Sequence, residues 1–158
     1  MGSIRRKPAG ACRGWTRPDL PVRRGVAFLG TTRRDGAPRV HPIAPQFVGE
    51  GLFAFITPSP KRDDLLRDGR YALHSYPRPT DEDAFYITGR AQLVVEEDVR
   101  RNLWAAYVGD ADRIMSGDFK GLEYQTIFEF ILDTALLTRT TGHGDPNPKH
   151  TVWRWDKK

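Results

Sequence analysis

Residues 25–57 read GVAFLGTTRRDGAPRVHPIAPQFVGEGLFAFIT, and the two glycine-bearing turns inside this stretch decide the fold. Residues 25–34 (GVAFLGTTRR) are rich in strand formers, and Asp35-Gly36 follows them. An Asp-Gly pair signals a hairpin because the tight turn needs positive φ, which glycine adopts without steric cost. The chain returns through 37–48 (APRVHPIAPQFV), where Pro38, Pro42 and Pro45 each remove a ladder donor. A strand so interrupted belongs at an edge, or is bulged or otherwise irregular. Gly49-Glu50-Gly51 turns the chain again into 52–57 (LFAFIT), which completes a three-stranded meander.

Working outward, PSPKRDDLLRDGR (58–70) leaves the third strand through two prolines around Ser59. Residues 62–67 read as a short helix, with Asp63 and Asp64 in the first turn, where the helix dipole favours acids. Asp68-Gly69 ends it. A hydroxyl, a lysine and a helix N-terminus in one short span suit an anion, most often a phosphate. Two more strands follow at 71–76 (YALHSY) and 84–95 (AFYITGRAQLVV), joined by a polar loop. Residues 97–108 carry apolar side chains at 99, 103, 104, 107 and 108, a helical stripe. Residues 109–121 are polar and Gly-punctuated, 125–139 alternate as a long strand, and TVWRW (151–155) reads as a last short one. Short strands at hairpin spacing with one or two inserted helices predict a mainly β fold, a closed antiparallel barrel.

The chain has 158 residues, 39% of them hydrophobic, which is enough for one domain to bury a core without disulfides or a structural metal. Its one cysteine, Cys12, has no partner for an internal disulfide and favours a reducing compartment. No apolar run reaches the roughly 18 residues of a membrane span, and the N-terminus lacks the apolar stretch of a secretory signal. The cytoplasm is the default location. The net charge is +5, and much of the excess lies near the N-terminus in Arg5, Arg6, Lys7, Arg13, Arg17, Arg23 and Arg24. Residues 1–23 are expected to be a basic, flexible arm and 24–158 the folded domain. A basic balance suits polyanionic partners, either nucleic acid or a phosphorylated cofactor.

The succession FLGTTRRDGAPRVHPI, LFAFIT with SPK behind it, LLRDGRYAL and FYITGRA resembles the pyridoxamine 5'-phosphate oxidase-like family. The resemblance is good over about 24–96 and looser beyond. It implies a homodimeric split β-barrel that binds FMN or the deazaflavin coenzyme F420. It further implies that Arg39 reaches the flavin phosphate and that Thr57 contacts the phosphate or ribityl chain. Ser59 and Lys61 match the family's Ser-Arg-Lys element, with Pro60 in place of the arginine. The backbone of His41, Pro42 and Ile43 would edge the isoalloxazine ring, and the partner's C-terminal strand, through Trp153 and Trp155, would help to close the site. The chain departs from the vitamin B6 oxidases at Ala44, where they carry lysine, and at Ala84 or Phe85, where they carry glutamine. With TVWRWDKK at its end, it is expected to lack their C-terminal substrate-clamping segment.

The leading expectation is therefore an oxidoreductase that transfers hydride between the flavin and a small organic substrate, with FMN ahead of F420. No catalytic side chain and no metal set is read from the sequence; His143 and His150 match no ligand pattern. A non-catalytic flavin- or haem-binding module is the alternative. A nucleic-acid-binding small barrel ranks last, because the aromatics of 52–56 and 84–86 have apolar neighbours and read as buried. Trp104 and Tyr107 read as core residues of their helix.

Overall fold

The computed structural model describes residues 22–76, 81–111 and 121–155. These described residues form nine strands: β1 (Val22–Arg24), β2 (Ala27–Thr32), β3 (Pro38–Ile43), β4 (Gln46–Val48), β5 (Gly51–Ile56), β6 (Arg70–Ser75), β7 (Ala84–Leu93), β8 (Thr126–Arg139) and β9 (Lys149–Arg154). Two helices join them, α1 (Pro60–Arg67) and α2 (Glu97–Ala111), with a 3-10 turn at Leu122–Tyr124. All ladders are antiparallel, in the order β1-β4-β5-β8-β7-β6-β2-β3, with β9 added to β8.

The order curls because β1 and β2 form one arm, broken at Gly25-Val26, and β3 and β4 another, broken at Ala44-Pro45. Each half of one arm pairs with a half of the other, Val22 with Val48 and Ala27 with Ile43. The arms thus carry the two ends of the strand order towards each other, and the sheet wraps into a split barrel. The proline-rich strand is irregular as its composition requires. Pro45 closes the break, its carbonyl accepting the Gly25 amide at 3.3 Å.

Both meander turns form where glycine permits them. Gly36 has φ 84° and its amide bonds the Arg33 carbonyl, while Gly49 has φ 58°. The sheet takes in Val22 and Arg23, the last two residues of the expected arm; the rest of the arm lies outside the described residues, as does most of the polar 109–121 segment.

Strand β5 shows where the core sits. Its residues 51–54 and 56 are all buried, because the strand is covered on both faces. Leu52, Ala54 and Ile56 join Leu29, Leu73, Ile87, Phe128 and Phe130 in one cluster inside the curl. Phe53 faces the other way, packing with Val99 and Leu103 of α2 and with Ile127. The apolar stripe predicted for 97–108 is thus the seam that seals the outer face of β5.

Candidate functional site

Helix α1 begins at Pro60, two residues before the start expected from sequence. Proline suits the first helical position, since its φ is preset and its missing N–H would have no intrahelical partner. The helix ends as predicted, with Asp68 at the cap and Gly69 at φ 73°. Ser59 precedes it in extended conformation, but its hydroxyl donates back to the Thr57 carbonyl at 2.9 Å and does not cap the helix.

Two cavities flank the first turn of α1. The first, about 570 Å³, is a groove lined by Val26, Pro42, Ile43, Ala44, Ala54, Phe55, Ile56, Thr57, Lys61, Tyr107 and Gln125. Its walls are mostly apolar, and Lys61 is its one charged lining residue among the described residues. The Lys61 ammonium donates to the Pro42 carbonyl at 3.2 Å and pairs with no carboxylate among the described residues. Burial lowers its pKa from the ordinary 10.5. A half-buried cation without a counter-charge favours an anionic ligand, because the ligand replaces lost hydration.

The second cavity, about 590 Å³, is a cleft between α1 and the β2–β3 hairpin, lined by Arg33, Arg34, Asp35, Arg39, Pro60, Asp63, Asp64 and Arg67. Here Arg33, Arg39 and Arg67 have carboxylate partners. Arg33 lies 3.1 Å from Asp35, and Arg39 bonds Asp64 through Nε at 2.7 Å. Burial pushes the Asp64 carboxyl up, but hydrogen bonds from Arg39 and Thr31, with the charges of Arg39 and Arg67, bring it below the ordinary value.

The structure thus brings Thr57, Lys61, Pro42 and Ile43 together at the groove, while Arg39 faces the neighbouring cleft. His41 is half-buried on β3, opposite Leu29, and lines neither cavity; Ser59 also lines neither. Trp153 and Trp155 lie far along the sheet: Trp153 pairs with Ala135 and the Trp155 amide bonds the Asp133 carbonyl. Both are half-buried, and neither reaches the groove of its own protomer.

Sequence reasoning missed Val26, Phe55, Tyr107 and Gln125 as groove residues. Tyr107, read as core, packs on Phe55 at 4.6 Å between ring centroids and stacks with Trp104 at 5.3 Å, and it also walls the groove. The three-residue spacing of Trp104 and Tyr107 on one helix was the available signal. Phe85 and Tyr86, expected to be buried, are exposed in the protomer.

No protein-family model matches the chain, and no curated protein does. Solved structures do match. They include a protein related to general stress protein 26, of the pyridoxinephosphate oxidase family, from Clostridium acetobutylicum (TM-score 0.58, 12% identity, covering 82% of this chain and 84% of that one). An F420 reductase matches with TM-score 0.56 and 19% identity, over 82% of this chain and 98% of its own. A haem-binding protein from Mycobacterium smegmatis matches with TM-score 0.58 and 14% identity, over 92% of this chain and 59% of its own. At these identities the likeness is one of fold. The chain has the split β-barrel fold of the pyridoxamine 5'-phosphate oxidase-like proteins.

Proposed function

We propose that the protein is a homodimeric, cytoplasmic flavin-dependent oxidoreductase, holding FMN, or F420 in its place, in the groove beside α1. The observation that carries this reading is the lone, half-desolvated Lys61 at the mouth of an apolar groove, on a fold that the F420 reductase shares. Lys61 and Thr57 would hold the cofactor phosphate, with Arg39 approaching from the cleft side and Ser59 fixing the turn through Thr57. The backbone at Pro42 and Ile43 would edge the ring, and His41 stands next to it on β3. The bound flavin supplies the hydride chemistry, and the protein positions it and excludes water. Phe55, Tyr107 and Ile56 make the apolar wall on which a ring system can lie.

The exposed apolar side chains Val40, Tyr76, Phe85, Tyr86 and Val152 support the dimer, since a lone protomer gains nothing from leaving them in water. Trp153 and Trp155 would then serve the partner's groove. Among the described residues no helix is long and apolar enough to cross a membrane.

The test is the absorbance spectrum of freshly purified protein, with the mass of whatever acid releases. A two-banded flavin spectrum with an FMN mass supports the reading; a colourless protein that binds neither FMN nor F420 on titration overturns it. The likeness to a haem-binding protein supports a second reading, a non-catalytic haem module, for which an intense Soret band would decide.

A further inference from the structure

The carboxylate of Asp64 takes no part in the function proposed above, yet it is only 6% exposed. A fold buries a carboxylate at a cost unless its oxygens are well satisfied. Here Oδ2 accepts two hydrogen bonds, from Arg39 Nε at 2.7 Å and from the Thr31 hydroxyl at 2.9 Å. Its Oδ1 lies 3.6 Å from an Arg67 guanidinium nitrogen. Thr31 and Arg39 are direct partners across the β2–β3 ladder, so one carboxylate on α1 reaches both from the same side.

The geometry of the Arg39 contact is informative. A guanidinium normally meets a carboxylate with two parallel N–H donors. Asp64 takes Nε alone, and the two terminal nitrogens of Arg39 make no hydrogen bond among the described residues. They belong to a side chain that lines the arginine cleft. Thr31, itself 5% exposed, fixes the carboxylate independently of Arg39. The arginine is therefore gripped at its stem end while its outer donors stay available.

We propose that Asp64, backed by Thr31, is a positioning residue that holds the Arg39 guanidinium ready for the cofactor phosphate. This rests on the phosphate role proposed for Arg39. An arginine already fixed loses little further freedom on binding, which is the general route by which preorganisation raises affinity.

FMN and riboflavin differ only in the phosphate, so the ratio of their affinities isolates its recognition. Fluorescence titration of the parent, Asp64→Ala, Asp64→Asn, Thr31→Val and Arg39→Ala with both ligands tests the proposal. Asp64→Ala is expected to lower FMN affinity about tenfold while riboflavin binding stays within about twofold. Asp64→Asn, which keeps an acceptor, should fall between it and the parent, and Thr31→Val should lower the ratio about threefold. A parallel loss of both ligands, or an unchanged ratio in Asp64→Ala, overturns the positioning role. Should Asp64→Ala not fold, an unchanged ratio in Thr31→Val does so. If Arg39→Ala keeps the parent's ratio, or the parent does not prefer FMN, the phosphate reading itself fails, and the proposal with it.

Discussion

The β7–β8 ladder and the corner where α1 meets β2–β3 are held together by different physics. The ladder is long, from Ala84–Thr138 to Leu93–Phe128, with a bulge between Thr88 and Gly89. At the bulge the backbone of β8 comes so close that a Cβ on Gly89 would lie 1.8 Å from the Ile131 carbonyl oxygen. The α1 corner has no such contact. Its organising groups are Asp64, Thr31, Arg39 and Lys61, joined by hydrogen bonds and charge. A ladder fixed by backbone proximity should fail in stability, and a corner fixed by charge should fail in recognition.

The largest expected effect is on the β7–β8 ladder. Gly89→Ala should cost about 3 kcal/mol and lower the melting temperature by roughly 10 °C, because the added carbon meets backbone that must move. A thermal melt within about 2 °C of the parent would show that the bulge is soft and erase half of the contrast. Next comes Lys61→Ala at the corner. Among the described residues its only hydrogen bond is to the Pro42 carbonyl, so the ligand-free melt should barely change. FMN affinity should fall about 10- to 100-fold, the worth of a charge-assisted contact. Equal FMN affinity in mutant and parent would remove Lys61 from the site.

A smaller effect sharpens the same point through pH. The form of Lys61 that would bind a phosphate is the ammonium, and burial has lowered its pKa from 10.5. As pH rises, this proton leaves before that of an exposed lysine. The preference for FMN over riboflavin should therefore decline at alkaline pH, starting below 10.5, and Lys61→Arg should abolish the decline. A preference constant up to pH 10.5 would contradict it. The smallest effect is the control. Arg101 and Glu97 pair on the exposed side of α2 at 3.0 Å, away from both regions. Arg101→Ala should change the unfolding free energy by no more than about 0.5 kcal/mol in a denaturant titration.

The two regions also differ in how legible they were. Turn chemistry is local, so Gly36, Gly49 and Gly69 announced their positive φ from their neighbours alone, whereas the pairings of β1 with β4, β5 with β8 and β2 with β6 join strands that are not consecutive and were not legible. Gly89 sits in the quoted FYITGRA motif, but the reason for it lies on another strand, at Ile131. Asp64 was read as an acid placed for the helix dipole, because Thr31 and Arg39 stand 33 and 25 residues away in sequence. The candidate site was legible as a set of residue types around α1. Its division into groove and cleft was not, since Val26, Tyr107 and Gln125 reach the groove from distant elements.

Strand β8 occupies a place in the sheet whose consequence is temporal. It lies between β5 and β7, although it comes after both in the chain. A nascent chain that has not yet delivered Thr126–Glu129 leaves β5 with an unpaired edge, and the inner cluster lacks Phe128 and Phe130. Folding must then wait for the ribosome to supply the strand that bridges the two halves, and the early meander stays exposed meanwhile. Pairing at such sequence separation is slow. Arrest peptides placed before and after residue 139 would register that late docking as a step in pulling force.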